Sequence, residues 1–157
     1  MSLDEHRYSL TVQWTGNLGD GTSSYRSYSR DHDVLIPGLP ALAGSADPTF
    51  HGNRERYNPE QLLLAALAQC HMLSYLHVAV KHGVVVKYYR DEATGLMRLN
   101  RDGSGQFERV VLHPHVTLAD PGHAELAERL HHEANQVCFI ARSVNFPVEH
   151  QPVTVVG

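Results

Sequence analysis

Tyr8, Leu10, Val12 and Trp14 alternate with polar neighbours, which predicts a half-buried strand over residues 7–14. Gly16, Gly19, Asp20 and Gly21 then make a turn. The run 22–36 reads as a second strand, or a second and a third. If it is regular, Arg26, Tyr28 and Arg30 share a face with Val34 and Ile36, which aims two arginines inward. Residues 37–57 turn to Pro, Gly, Ala and Asp and read as a long ordered loop. The period then changes over 58–82. Asn58 can cap a helix, Pro59 suits its first position, and Gln61 completes a capping box. Lys81 and His82 complement the dipole at the far end, where Gly83 can stop the turn. No formal charge falls between Gln61 and Val80, and no polar stripe interrupts Leu62 to Ala68. A helix apolar all round is a buried one. Its length of about 37 Å exceeds what a chain of this size covers easily, so a second subunit is the natural cover.

After this helix, strands are predicted over 83–91, 95–101 and 106–118, with turns at Thr94–Gly95 and Asp102–Gly105. In the third, Val110, Leu112, Val116 and Leu118 share one face, with His113 and His115 on the other. A second helix starts at Asp120 and Pro121. Leu126, Ala127, Leu130, Ala134 and Val137 form its apolar stripe, and Cys138 continues it. The closing strand, 144–156, is interrupted by Pro147 and Pro152, which places it at a sheet edge. With no repeat or linker in view, residues 1–157 are expected to form a single α+β domain.

Composition narrows the function. A hydrophobic fraction of 42% in 157 residues supports a sizeable core. A formal charge of -4 gives no electrostatic reason to expect nucleic acid or an anionic membrane as partner. The polar residues Gln61, Gln69, His71, Ser74 and His77 argue against a membrane span, and without a signal-peptide pattern the expected location is cytoplasmic. The 12 histidines include His113 and His115 at a spacing that could hold a metal, but there is no H-E-x-x-H, no C-x-x-C and no third ligand at a telling distance. Neither metal nor cofactor is therefore expected. The two cysteines, in a reducing compartment, are expected as thiols.

Asn58, Pro59 and Glu60 are followed by small and apolar residues and then by Cys70, ten positions after the glutamate, while Cys138 lies near the end of the second helix. In this motif, spacing and element order the chain resembles the OsmC/Ohr family of thiol peroxidases over nearly its whole length. The resemblance implies an OsmC-like fold, with antiparallel sheets wrapped around two long central helices in an intertwined homodimer. It further implies reduction of organic hydroperoxides, or hydrogen peroxide, with Cys70 peroxidatic and Cys138 resolving, no metal, and a dithiol reductant such as a lipoyl group. Two departures stand out. Thr49-Phe50-His51-Gly52 lacks the arginine of the family's R-F-x-G type segment, and Phe139 rather than proline follows Cys138.

Such chemistry needs a thiolate at Cys70 that attacks the O–O bond. Burial disfavours that charge, and Cys70 lies too far along the helix for the dipole to supply it. A cation must be brought in, and an arginine held by Glu60 suits the task. Ten helical residues separate Glu60 from Cys70 by about 15 Å. Glu60 and its arginine are therefore expected to reach Cys70 from the other subunit. Arg30 is the first choice on strand parity and Arg56 the second on proximity to Glu60, with Arg26 and Arg54 open. Two other classes compete. One is a non-enzymatic protein that binds an apolar small molecule or senses redox state. The other is a thiol hydrolase, disfavoured because His71 points about 100° away from Cys70.

Overall fold

The capping box at the head of the long helix closes as its residues dictate. Gln61 N–H donates to Asn58 Oδ1 at 2.8 Å, and Asn58 N–H donates to Gln61 Oε1 at 3.1 Å. Helix α1 then runs over Pro59–Lys81. It ends at Gly83, whose φ of 70° permits Val84 N–H to reach back to Ala79 O at 2.9 Å. The structure, a computed structural model, describes Asp4–Gly157; Met1 to Leu3, the start of the expected domain, lie outside the described residues. Two compact units divide between Leu62 and Leu63.

Helix α1 is not buried all round in the single chain. Leu67, His71, Tyr75, Val78 and Ala79 form its buried stripe, while Leu73 is 60% and Val80 77% exposed. One chain supplies sheet for one face of an apolar rod and leaves the other open.

In the first unit, β1 (Thr11–Trp14), β2 (His32–Leu35) and β3 (Leu42–Gly44) form an antiparallel sheet in that order. β1 is shorter than expected, and Tyr8, Leu10, Val12 and Trp14 are exposed rather than half-buried. β3 and a 3₁₀ turn at Pro48–Phe50 occupy the segment expected as loop. The larger correction concerns residues 22–31, which run through turns and bends instead of a strand. Serine hydroxyls satisfy the backbone locally: Ser24 N–H donates to Ser27 Oγ at 3.0 Å, and Ser27 Oγ donates to Gly21 O at 3.0 Å. Arg26 and Arg30 therefore lie outside any strand, and the face they were expected to share with Val34 and Ile36 does not form. Arg56 binds β2 instead, donating to His32 O at 2.9 Å and pairing with Asp31 and Asp33 at 3.4 and 3.3 Å.

The second unit holds β4 (Val86–Asp91), β5 (Thr94–Leu99), β6 (Gly105–Leu112), β7 (Pro114–Leu118), α2 (Ala124–Val137), β8 (Val148–His150) and β9 (Val153–Val156). They make two sheets of order β4-β7-β9 and β5-β6-β8. β6 pairs with β8 and β7 with β9 in parallel, so these sheets are mixed where antiparallel ones were expected. The strand expected over 106–118 breaks at His113, whose N–H donates to Asp91 Oδ1 at 2.7 Å. Its buried residues divide accordingly. Val110 and Leu112 pack with Leu67, whereas Val116 and Leu118 pack with Tyr75, Val78 and the Ala127–Leu130–Ala134 stripe of α2. Thr94 pairs with Val111 instead of turning, which moves the β4–β5 connection to Glu92 and Ala93. Asp120 caps the 3₁₀ turn Pro121–His123 ahead of α2, its carboxylate accepting from Gly122 N–H at 2.8 Å. The closing run is two edge strands, as its prolines require.

Candidate active site

Both cysteines belong to the second unit, and the fold brings them together. Cys70 lies mid-way along α1 and is partly exposed, while Cys138 is the C-cap residue of α2 and is fully buried. Their thiols are within hydrogen-bonding reach of one another. Burial, and then the hydrogen bond with Cys70, push the Cys138 thiol up to about 11. The Ala141 N–H, 3.5 Å from Cys138 Sγ, acts in the opposite sense. Val137 ends α2 and Cys138 turns extended, so the chain leaves the helix at the sulfur and exposes Phe139 by 79%. No proline is needed for that exit.

A cavity of ≈ 340 Å³ opens beside Cys70, walled by Leu73, Ser74, His77, Val137 and Phe139. Ser74 and His77 lie four and seven residues beyond Cys70 and so line the same face of α1. His77 is therefore about 10 Å along the axis from the sulfur, too far to serve it as a base.

Arg30 and Glu60 share a different cavity in the first unit. It measures ≈ 350 Å³ and is also walled by Trp14, Tyr28, His32, Asp47 and Phe50. Arg30 is held by an irregular turn: its guanidinium donates to Tyr28 O at 2.7 Å and Tyr25 O at 2.6 Å. Its Cζ lies 4.0 Å from the ring centroid of Tyr28 and 4.5 Å from that of Tyr25. Glu60 Oε2 is buried and makes no hydrogen bond within the described residues. The other arginines are placed differently. Arg56 is occupied by Asp31 and Asp33, and Arg26 and Arg54 are exposed, Arg54 near Asp47. Cys70 and Cys138 thus belong to the second unit, and Arg30 and Glu60 to a cavity of the first.

Sequence reasoning missed the tyrosines around Arg30 and a buried histidine pair. Tyr28, two residues before Arg30, would share its face on a strand as well, but Tyr25, five before, joins it only in a turn. His71 Nε2 and His131 Nδ1 are 3.0 Å apart, and both residues are buried. Helical periodicity contained the signal: Leu67, His71 and Tyr75 are spaced by four, and Ala127, Leu130, His131 and Ala134 form one stripe. His71 thus faces His131 and leaves Cys70 without an adjacent imidazole base, while His113 Nδ1 is engaged with Glu92 O at 3.0 Å.

The OsmC-like protein family matches residues 51–152. Uncharacterized protein YmaD of Bacillus subtilis (strain 168) is 24% identical over 152 residues, which are 95% of this chain and 93% of that protein. Among solved structures, an OsmC-like protein of unknown function from Vibrio cholerae superposes with a TM-score of 0.84 at 31% identity, over 95% of this chain and 100% of the other. An organic hydroperoxide resistance protein OsmC from Legionella pneumophila superposes with a TM-score of 0.69 at 20% identity, over 96% and 99% of the two chains, a likeness of fold.

Proposed function

Because this chain belongs to the OsmC-like protein family, we propose that it is a thiol-dependent peroxidase that reduces organic hydroperoxides through Cys70 and Cys138. One observation carries the reading: a partly exposed thiol at the wall of an apolar cavity has a second, buried thiol against it. Burial keeps the proton on Cys138, so the accessible sulfur, Cys70, is the one that meets a peroxide. Its thiolate attacks the terminal oxygen of ROOH, forming Cys70–SOH, and the released alkoxide takes up a proton to leave as the alcohol. Cys138 then loses its proton and attacks the sulfenic sulfur, giving the Cys70–Cys138 disulfide and water. The Ala141 N–H beside Cys138 Sγ favours the charge that this second step needs. A small-molecule or protein dithiol reopens the disulfide. Leu73, Val137 and Phe139 around Cys70 suit an alkyl hydroperoxide better than a wholly polar one.

The active unit in this reading is a homodimer. The open apolar face of α1 supports it, as does the need for charge at Cys70, since Glu60 lies about 15 Å back along the helix. A second copy would supply Arg30 and Glu60 to the cavity beside Cys70. The reading is tested by counting free thiols on pre-reduced, denatured protein before and after one equivalent of an organic hydroperoxide, with intact mass recorded. Loss of both thiols and of about two hydrogens in mass is expected. Survival of both thiols would overturn the reading in favour of a binding protein.

A further inference from the structure

The reaction described above uses no histidine, yet two imidazoles occupy the junction of the helices that carry the cysteines. His71 follows Cys70 on α1, and His131 lies on α2 seven residues before Cys138. His71 Nε2 and His131 Nδ1 are 3.0 Å apart, and the His131 ring stacks on Tyr75 with centroids 4.0 Å apart. Burial holds both imidazoles neutral, His71 near 4 and His131 near 3. In a neutral pair one nitrogen donates and the other accepts, so the contact is a directional bond. The remaining nitrogens, His71 Nδ1 and His131 Nε2, are buried with no partner among the described residues. A core-filling role is better served by leucine, which leaves no polar atom unsatisfied.

We propose that the buried His71–His131 hydrogen bond fixes the register of α1 against α2 in which Cys138 meets Cys70, making both histidines positioning residues for disulfide closure. Ala127 and Ala134, on the same stripe of α2 as His131, offer the core only methyl groups, a non-directional contact. A slip of one helical turn displaces Cys70 by about 5.4 Å, whereas a disulfide admits Cα separations of only roughly 4.4–6.8 Å. The hydrogen bond cannot survive such a slip, because His131 would then face Leu67 or Tyr75 in place of His71. Two other directional ties join these segments, Tyr75 Oη to Ala127 O at 3.0 Å and, just past the end of α1, His82 Nε2 to Glu133 Oε2 at 3.0 Å, and both act in the same sense.

The inference rests on Cys70 and Cys138 forming a disulfide, as in the peroxidase reading, but its test needs no peroxide. Reduced protein is equilibrated with glutathione disulfide, so that Cys70 and Cys138 lose two protons and two electrons and two glutathione thiols form. The equilibrium constant reports the effective concentration of one cysteine at the other. His131→Phe keeps the ring on Tyr75 but has no nitrogen. His131→Asn loses the ring but keeps a polar atom near the Nδ1 position. If the hydrogen bond sets the register, His131→Phe lowers the effective concentration about tenfold or more and His131→Asn stays within about threefold of the parent. A value for His131→Phe within about threefold of the parent, or an equal fall in both variants, overturns the proposal. Near-UV circular dichroism checks that each variant is folded, and if either is not, His71→Phe and His71→Gln are judged by the same criterion. A parent protein that forms the disulfide with glutathione yet consumes no hydroperoxide removes the peroxidase reading and leaves this one standing.

Discussion

The cavity beside Cys70 and the cavity beside Arg30 are nearly equal in size, ≈ 340 and ≈ 350 Å³, and nearly opposite in chemistry. The first has a thiol and three apolar walls, and no Asp, Glu, Lys or Arg lines it. The second has a guanidinium, two carboxylates in Asp47 and Glu60, and no sulfur. Helix α1 contributes to both, since Glu60 stands in its first turn and Cys70 about three turns further on. An acid in the first turn is stabilised by the dipole, whereas a sulfur mid-helix is left to its surroundings. The contrast teaches that, in the peroxidase reading, oxidation of Cys70 would have to draw on charge that its own cavity does not hold.

The largest effect expected from breaking the comparison is at the sulfur itself. Cys70→Ser should lower hydroperoxide consumption by about a thousandfold or more, as loss of a covalent nucleophile does. Cys138→Ser should allow one turnover and then accumulate a Cys70 sulfenic acid, which a dimedone adduct in the intact mass reveals. Next comes the charged cavity. Arg30→Met should slow Cys70 oxidation about a hundredfold, the usual cost of one electrostatic contact to a developing charge. Stopped-flow oxidation of the reduced protein measures it. If that rate holds and only the thermal midpoint of the first unit falls, the arginine is a structural cation and the second cavity has no part in the chemistry.

These residues were not equally legible in the sequence. Asn58, Pro59, Gln61 and Gly83 act through local geometry, so both ends of α1 could be read directly. Cys70 and Cys138 were found through motif and spacing, and the fold then placed their thiols together. Arg30 was chosen for a strand that does not exist. Its position comes from serine hydroxyls that satisfy the backbone of 21–27 locally, a competition that strand periodicity cannot express. The break at His113 was equally hidden, because the alternation of Val110, Leu112, Val116 and Leu118 continues across it while the partners change. The paired histidines were visible as members of apolar stripes, but a pairing 60 residues apart is a property of the packed helices.

Acid should separate the two units. His71 sits near 4 when folded, against an ordinary value of 6.5, and His131 lies lower still, near 3. The unfolded chain therefore binds protons at pH values where the folded one does not. Stability is full above pH 6.5, falls as pH drops, and levels off only near the folded value. His71 alone should remove about 2 kcal/mol between pH 6.5 and pH 5. The first unit behaves otherwise. Burial raises Asp31, but hydrogen bonds from Ser45, Asn53 and Ser29 and the charge of Arg56 outweigh it and hold the carboxyl below 3.8. Its ion pair thus persists through the window in which the histidines fail, and is lost only as pH falls through the depressed value. Hydrogen exchange at pH 7 and pH 4.5 should show protection lost in α2 and β7 and retained in β2. Equal loss in both units would remove the histidines as the cause.

The smallest effect concerns how firmly the charged cavity holds its charge. Arg30 lies against the rings of Tyr25 and Tyr28 and donates to the backbone carbonyls of the same two residues. A mutation at Tyr28 removes the ring and leaves the carbonyl, so it isolates the cation–π share of the clamp. That share is about 0.5–1 kcal/mol at a partly exposed site, which predicts that Tyr28→Leu slows Cys70 oxidation about two- to fivefold. Tyr28→Phe keeps the ring face and should stay within about twofold of the parent. An equal loss in Tyr28→Phe would transfer the effect to the phenol hydroxyl. No loss in Tyr28→Leu would mean that the two carbonyls hold the guanidinium unaided, so that backbone geometry alone places the charge in the cavity without sulfur.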